Sequence, residues 1–303
     1  MQPNPLLEKL GYPPDARLVI FHADDVGMCH GSNQAFDELS AAGIVKTGSV
    51  MVPCAWSPET FAQARANPLL DLGVHLTLNS EWNHYRWGPI STRDLASGLI
   101  DEEGHFWHRL PALLEHMDVA AAQAELVAQI ERVAAASVDF THIDTHMGAA
   151  MTAPLVQSYV ELGFEYRVPV LLPRRVDDYL RGLGMTPVDE QVWLAWAAAI
   201  EERGMPLVDY FRITPGYDTQ AEGGRAELYE RILADLPAGV TYFSLHPNAP
   251  GDIDVITPER AHWRTFEYMY FRSQRLHDFL AAQSIVPIGY REIRDVMRAS
   301  SLP

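Results

Sequence analysis

The chain has 303 residues, 48% hydrophobic and 21% charged, the balance of a soluble globular protein with a large buried core. Its formal charge of −17, from 40 acidic against 23 basic side chains, repels polyanions and argues against nucleic acid or an anionic membrane surface as a partner. No apolar run of about 18 residues is present to span a bilayer.

Residues 1–16 carry no basic start followed by an apolar stretch, so no signal peptide is expected and a cytoplasmic location is the default. Cys29 and Cys54 have no ligand spacing and read as free thiols. No linker, charge block or fixed-period repeat divides the chain, which reads as one domain over 1–303.

In chain order, apolar runs bounded by turn residues alternate with helical periodicity. The first strand is expected at Leu18–Ala23, then a helix at Ser32–Ala42, a strand at Thr47–Val52, a helix at Pro58–Ala66 and a strand at Leu72–Leu78. Beyond an irregular stretch come a helix at Ala120–Ala136, a strand at Phe140–His146, a helix at Ala153–Leu162 and a strand at Tyr166–Leu171. Helices at Glu190–Glu202 and Ala226–Asp235, a strand at Thr241–His246, a helix at Glu267–Gln283 and a strand at Val286–Ile288 complete the series. This alternation predicts a (β/α) barrel of about seven strands with its site at their C-terminal ends, a doubly wound open sheet being the alternative.

The irregular stretch, residues 79–117, holds Trp82, Tyr85, Trp87, Phe106 and Trp107 together with His84, His105 and His108. An insert after a strand on the loop face of a barrel is a natural place for substrate contacts, with Trp82, Tyr85 and Trp87 the first choices. The alternative is a surface excursion whose aromatics are buried.

Four of the apolar runs close on side chains that bind metals or move protons. They are Asp24 and Asp25 after the first, His75 in the third, His142, Asp144 and His146 in the fourth, and His246 in the sixth. Each alone reads as a core histidine or a turn carboxylate. Together they point to a metal site, because imidazoles and charges are costly to bury without compensation.

Spacing limits the choices. On a regular strand His142, Asp144 and His146 share a face, but the two histidines lie about 13 Å apart, too far to share one ion. His146, nearer the mouth, is the better ligand, leaving His142 a supporting role unless the strand ends early. Asp24 and Asp25 would point to opposite faces of a strand, so both serve one site only if the chain turns near Gly27. One carboxylate then binds the ion while the other moves protons, and an Asp-His-His set leaves coordination open for water and substrate.

At these residues the sequence resembles the YdjC-like carbohydrate deacetylases, a family that includes chitooligosaccharide deacetylase and a deacetylase associated with hopanoid synthesis. The matching segments are His22-Ala-Asp-Asp-Val-Gly27, Gly43 to Val52, Leu72-Gly-Val-His-Leu76, Ile100 to Trp107, Thr141-His-Ile-Asp-Thr-His146 and His246-Pro247. The resemblance implies a (β/α) barrel and one divalent ion, Zn2+ or Mg2+, held by Asp25, His75 and His146. It also implies Asp24 as general base and His246 as general acid, while His142 and Asp144 remain, on spacing, supports or alternative ligands. Two imidazoles and a carboxylate favour Zn2+ on ligand chemistry. Gly148 and Asn248 depart from the family pattern at positions expected beside the substrate.

The activity so implied is hydrolysis of the N-acetyl amide of a sugar or oligosaccharide, with release of acetate. The alternatives are another metal-dependent hydrolase such as a phosphoesterase, a glycosidase pairing Asp24 with Asp144, and a sugar- or partner-binding barrel without turnover. A homodimer would be unsurprising.

Overall fold

The computed structural model describes residues 3–184, 189–214 and 224–300. Among these, seven parallel strands form one curled sheet: β1 (Arg17–Val26), β2 (Thr47–Val50), β3 (Asp71–Leu76), β4 (Ile143–Thr145), β5 (Tyr210–Ile213), β6 (Gly239–Leu245) and β7 (Ile285–Pro287). The order is β4-β3-β2-β1-β6-β5, and β7 pairs with β1. β2 joins β1 from His22 upward, whereas β7 covers Arg17 to Val19, so the two share one flank of the long first strand. Two single bridges, Ile143 to Val170 and Pro173 to Val208, link the sheet's edges and close the ring as a (β/α) barrel.

Period-two alternation divides each strand's side chains. In β1, Val19, Phe21 and Ala23 join the large apolar cluster beneath the helices, while Leu18 and Ile20 join a smaller one. The smaller cluster also takes Leu6 and Leu7 of the helix Pro5–Lys9 with Val240, Tyr242, Ile288 and Tyr290, and forms the floor at the strands' N-terminal ends. Above it the alternating positions turn polar: His22 and Asp24 on β1, Ser49 on β2, His75 on β3, Asp144 on β4 and Ser244 on β6, all buried. A barrel interior normally filled by branched aliphatics is therefore apolar below and ionisable above.

Several expectations need correction. The strand expected at Tyr166–Leu171 is not one: Tyr166 ends the helix Val156–Tyr166, and the extended segment after it makes only single bridges. Pro169 and Pro173 lack the N–H groups a ladder needs. The strand β5 was not expected, because Arg212 interrupts its apolar pattern. That guanidinium is buried only because Asp177 meets it at 2.7 Å. The helix expected at Glu267–Gln283 is two, Pro258–Tyr270 and Gln274–Ala282, parted where Ser273 caps the second by accepting from the Leu276 N–H. The fourth strand is cut to three residues, so His142 precedes it and His146 follows it.

Residues 79–117 hold a 3-10 turn at Leu95–Ser97, the helix Leu110–His116 and an antiparallel bridge between Ile100 and Phe106. Buried Glu125, on the helix Val119–Ala135, accepts hydrogen bonds from the N–H groups of Ile90 and Ser91 at 3.1 and 2.8 Å and ties the insert down. No described helix is long and apolar enough to cross a membrane.

Candidate active site

The site begins with a backbone turn. Pairing of β1 with β2 shifts register between Ala23 and Val26, and Asp25 adopts φ +62°, a left-handed conformation rare outside glycine. Gly27 follows at φ +84°, where Val50, Ser57 and Thr60 leave little room for a Cβ. The turn brings both Asp24 and Asp25 to the barrel mouth.

Asp25, His75 and His146 are all buried, each offering one ligand atom within 4.8 Å of the others. His75 Nε2 lies 3.5 Å and His146 Nδ1 3.2 Å from Asp25 Oδ1. The opposite nitrogen of each ring is held by a carboxylate: His75 Nδ1 by Asp144 at 3.0 Å and His146 Nε2 by Glu81 at 2.9 Å. Such carboxylate-imidazole pairs fix the ring orientation of metal-binding histidines. Asp25 Oδ1 itself is buried without a hydrogen-bond partner, an expensive condition that a cation at this point relieves.

Two other clusters meet the same distance test, His22 with His142 and Asp144, and Asp24 with His75 and Asp144. Apart from Asp144 Oδ1, their ligand atoms are already engaged. Asp24 Oδ1 takes His22 Nδ1 at 2.5 Å and the Tyr242 hydroxyl at 2.9 Å, and its Oδ2 takes Ser244 at 2.6 Å. His22 and His142 face each other through their Nε2 atoms at 2.7 Å. The residues that fit a divalent ion are therefore Asp25, His75 and His146, an oxygen and two nitrogens of the kind Zn2+ takes.

Electrostatics support this choice. Burial opposes charge on His75, but Asp144 and Asp25 outweigh it and hold its pKa well above the usual imidazole value. Burial is likewise outweighed at His146, where Glu81 and Asp25 raise the pKa to about 9. Asp25 stays ionised despite its burial because Arg264 Nη1 donates to its Oδ2 at 2.8 Å. Asp25, Asp144 and Glu81 thus set a negative potential at this point, one that favours a cation, and an ion binding here would displace the protons the two imidazoles hold.

Beside it, His246 Nε2 lies 3.9 Å from Asp24 Oδ2, its Nδ1 has no partner, and its backbone N–H donates to Glu267 at 2.6 Å. Burial, against the pull of Asp25, lowers the His246 pKa to about 4, so the resting imidazole is neutral. Burial also tends to raise the Asp24 pKa, but hydrogen bonding and charge from His22 hold it below its usual value.

The other residues expected at the site divide. Asp144 supports His75 from behind, whereas His142 lies deeper, stacked on Tyr290 with ring centroids 4.1 Å apart. Trp82 and Trp87 do not offer exposed ring faces: each is 5% exposed. Trp87 donates its indole N–H to Asn79 O at 2.8 Å and stands edge-on to His146, while Trp82 lies against the guanidinium groups of Arg260 and Arg264. Only Tyr85 is half-exposed, its hydroxyl bound to Met28 O. Asn248 does not face a substrate either, being fully buried against the Cys29 thiol. Gly148 sits at φ +71° in the turn after His146, with nothing within 4 Å of where a Cβ would lie.

Sequence reasoning missed Glu81, Arg264 and Glu267. The signal for the last two was present as charged residues spaced three apart on the apolar face of the helix Pro258–Tyr270, beside Ala261, Trp263 and Tyr268.

A (β/α) barrel with a buried Asp-His-His cluster, flanked by the Asp24 carboxylate and the His246 imidazole, at the C-terminal ends of its strands is the layout of a (β/α)-barrel enzyme. The chain belongs to the YdjC-like family, whose model matches residues 18–282. It is 33% identical to a carbohydrate deacetylase of Thermus thermophilus over 96% of this chain and 99% of that one. A carbohydrate deacetylase of Thermoanaerobacter pseudethanolicus is 27% identical, over 76% and 81%. The fold resembles that of a putative cellobiose-phosphate cleavage protein from Enterococcus faecalis V583, with a TM-score of 0.74 at 20% identity, covering 92% of this chain and 99% of that one.

Proposed function

We propose that this chain removes acetyl groups from an N-acetylated sugar or short oligosaccharide by metal-dependent hydrolysis, the whole 1–303 chain acting as one barrel unit. The observation that carries the reading is the partnerless Asp25 Oδ1 facing His75 Nε2 and His146 Nδ1 at the barrel mouth. The deacetylases related to it in sequence supply the substrate class. The donor set favours Zn2+ over Mg2+.

A bound divalent ion would polarise the acetyl carbonyl and acidify a water. Asp24, set by Tyr242, Ser244 and His22, accepts a proton from the attacking water. The leaving amine needs a proton of its own. His246 is neutral at rest, so it becomes the acid only after taking a proton from the Asp24 side, 3.9 Å away. Glu267 fixes the backbone of His246 for that exchange. In the insert, half-exposed Tyr85 is the best-placed ring for a sugar face, above a cleft of about 370 Å³ that Trp87 and His105 also line.

The test is an acetate-release screen over N-acetylated mono- and oligosaccharides, run on chelated protein with Zn2+, Mg2+, Mn2+ or Co2+ restored. Metal-dependent acetate release supports the reading. Stoichiometric ion binding without release from any sugar overturns it in favour of a binding barrel or another hydrolase.

A further inference from the structure

We propose that Trp56, at the rim of the barrel mouth, is an outer subsite that stacks on a distal ring of an N-acetylated oligosaccharide while an acetylated unit occupies the mouth. The subsite rests on the deacetylase reading given above and adds to it a preference for chains over single sugars.

Neither packing nor local structure accounts for a tryptophan at this position. Of the seven tryptophans in the chain, Trp56 is the one that stands exposed, at 40%. It is the N-cap of the helix Ser57–Ala66, where Ser, Thr, Asp or Asn would accept from the first free N–H groups and an indole cannot. The His30 ring stands 5.0 Å away and tilted by 40°, too open to cover the indole as a stacked partner would.

The loops place the ring beside the reacting centre. His30 follows β1, Trp56 follows β2 and Asp252 follows β6, so all three stand on the face where Asp25 and His246 lie. Ala55, the residue before Trp56, lines the cleft of about 370 Å³ together with Tyr85, whose hydroxyl donates to Met28 O on the β1 loop. That cleft is near the lower end of small-ligand pockets, about 300–1,000 Å³. An oligosaccharide seated in it has further rings outside, and a chain that leaves over the β2 loop meets Trp56.

The indole is braced against the turn that carries Asp25. Asn33, wholly buried on the helix His30–Ala42, accepts from the Gly27 N–H at 2.7 Å and the Thr60 hydroxyl at 2.9 Å. Its amide nitrogen donates to Trp56 O at 3.0 Å and Glu59 Oε2 at 2.8 Å. Both acceptor sites and both donors of this amide are used, which fixes the spacing between mouth and rim.

Polar groups flank the ring. Glu59 Oε2 lies 3.0 Å from His30 Nδ1, and the His30 N–H donates to Asp252 Oδ2 at 3.2 Å. The His30 side chain is half-exposed, so its Nε2 can meet a sugar hydroxyl. An aromatic face beside an imidazole and two carboxylates suits a neutral polyhydroxylated ring, with its C–H face on the indole and its hydroxyls at the edge. The same carboxylates turn away an anionic ligand.

The test uses the metal-loaded full chain with N-acetylglucosamine and its β-1,4-linked dimer, trimer and tetramer. Trp56→Ala and Trp56→Phe keep the backbone carbonyl that Asn33 holds, and an unchanged urea midpoint checks that the fold stands. On the monomer both variants should keep kcat and KM within about twofold of wild type. On the trimer and tetramer Trp56→Ala should raise KM about tenfold at unchanged kcat, because a distal contact is the same in ground and transition states, and Trp56→Phe should recover most of it. Unchanged KM on every oligomer, or an equal loss on the monomer, would overturn the subsite. Nitrogen-15 NMR of the indole N–H groups needs no turnover. The signal that Trp56→Phe deletes should shift with trimer and tetramer and hold still with monomer, and a signal that no oligomer moves would overturn the subsite even where acetate is released. Shifts without acetate release would leave the subsite in a sugar-binding barrel and remove the deacetylase reading. A change of oligomeric state in sedimentation of Trp56→Ala would make the ring a protein contact and refute the proposal.

Discussion

Two polar layers occupy one barrel, and they are finished differently. At the mouth, Asp25 Oδ1, Asp144 Oδ1 and His246 Nδ1 are buried without partners, and Asp25 holds a left-handed backbone. Nearer the floor, His22, His142, Thr141 and Asp71 satisfy one another in series, with the Tyr290 hydroxyl left over. Unmet hydrogen-bonding capacity marks a place that can take something from outside the chain, whereas a closed network is complete within it.

The sharpest way to break that contrast is to delete a mouth ligand. Replacing Asp25, His75 or His146 by Ala should weaken binding of a divalent ion by more than about 100-fold, exceeding what the loss of an outer support such as Glu81 does. Metal titration by calorimetry on chelated protein measures it. An ion bound as tightly after His146→Ala would move the site elsewhere. In the intact protein, affinity should rise with pH up to about 9, because His146 must first give up its proton.

A smaller change separates proton transfer from metal binding. Asp24→Asn should keep the ion and lower kcat by about 10²–10⁴. His246→Ala should slow amide hydrolysis far more than hydrolysis of an activated aryl ester, whose leaving group departs as an anion. Equal losses on both substrates would remove His246 from the acid role, and metal loss in the Asp24 variant would make Asp24 a ligand.

The last effect concerns stability, spread over more than two pH units. Burial raises the Glu267 pKa to about 7, so the folded chain binds this proton more tightly than the unfolded one. Between the ordinary value of 4.5 and about 7, stability should therefore fall as pH rises, by up to about 3 kcal/mol. Glu267→Gln should flatten this part of the profile in urea unfolding between pH 5 and 8. An unchanged slope would assign the dependence to another group.

The mouth was legible in the sequence because its side chains close apolar runs. His75, Asp144 and His246 follow a period of two, and Gly27 announced the turn that turns Asp24 and Asp25 into one site. What escaped was whatever reaches the site from outside the strands. Arg264 and Glu267 come from a helix and Glu81 from an aperiodic insert, and only tertiary packing brings them in. Trp82 and Trp87 misled for a related reason: aromatic content in a loop does not reveal which face the loop buries. The apolar run Val168 to Leu172 made the barrel's closing segment read as an ordinary strand although Pro169 and Pro173 withhold ladder donors, and Arg212 disguised β5 as loop.

Arg264 carries one more consequence. Its guanidinium holds Asp25 at 2.8 Å, and charged His75 and His146 stand close by, so the acidic pocket has counter-charge before any ion arrives. On the proposed reading, folding need not wait for an ion. Stripping a bound ion with a chelator should then leave the cooperative unfolding transition of the chain in place, and which ion the site takes up should depend on supply as well as on affinity.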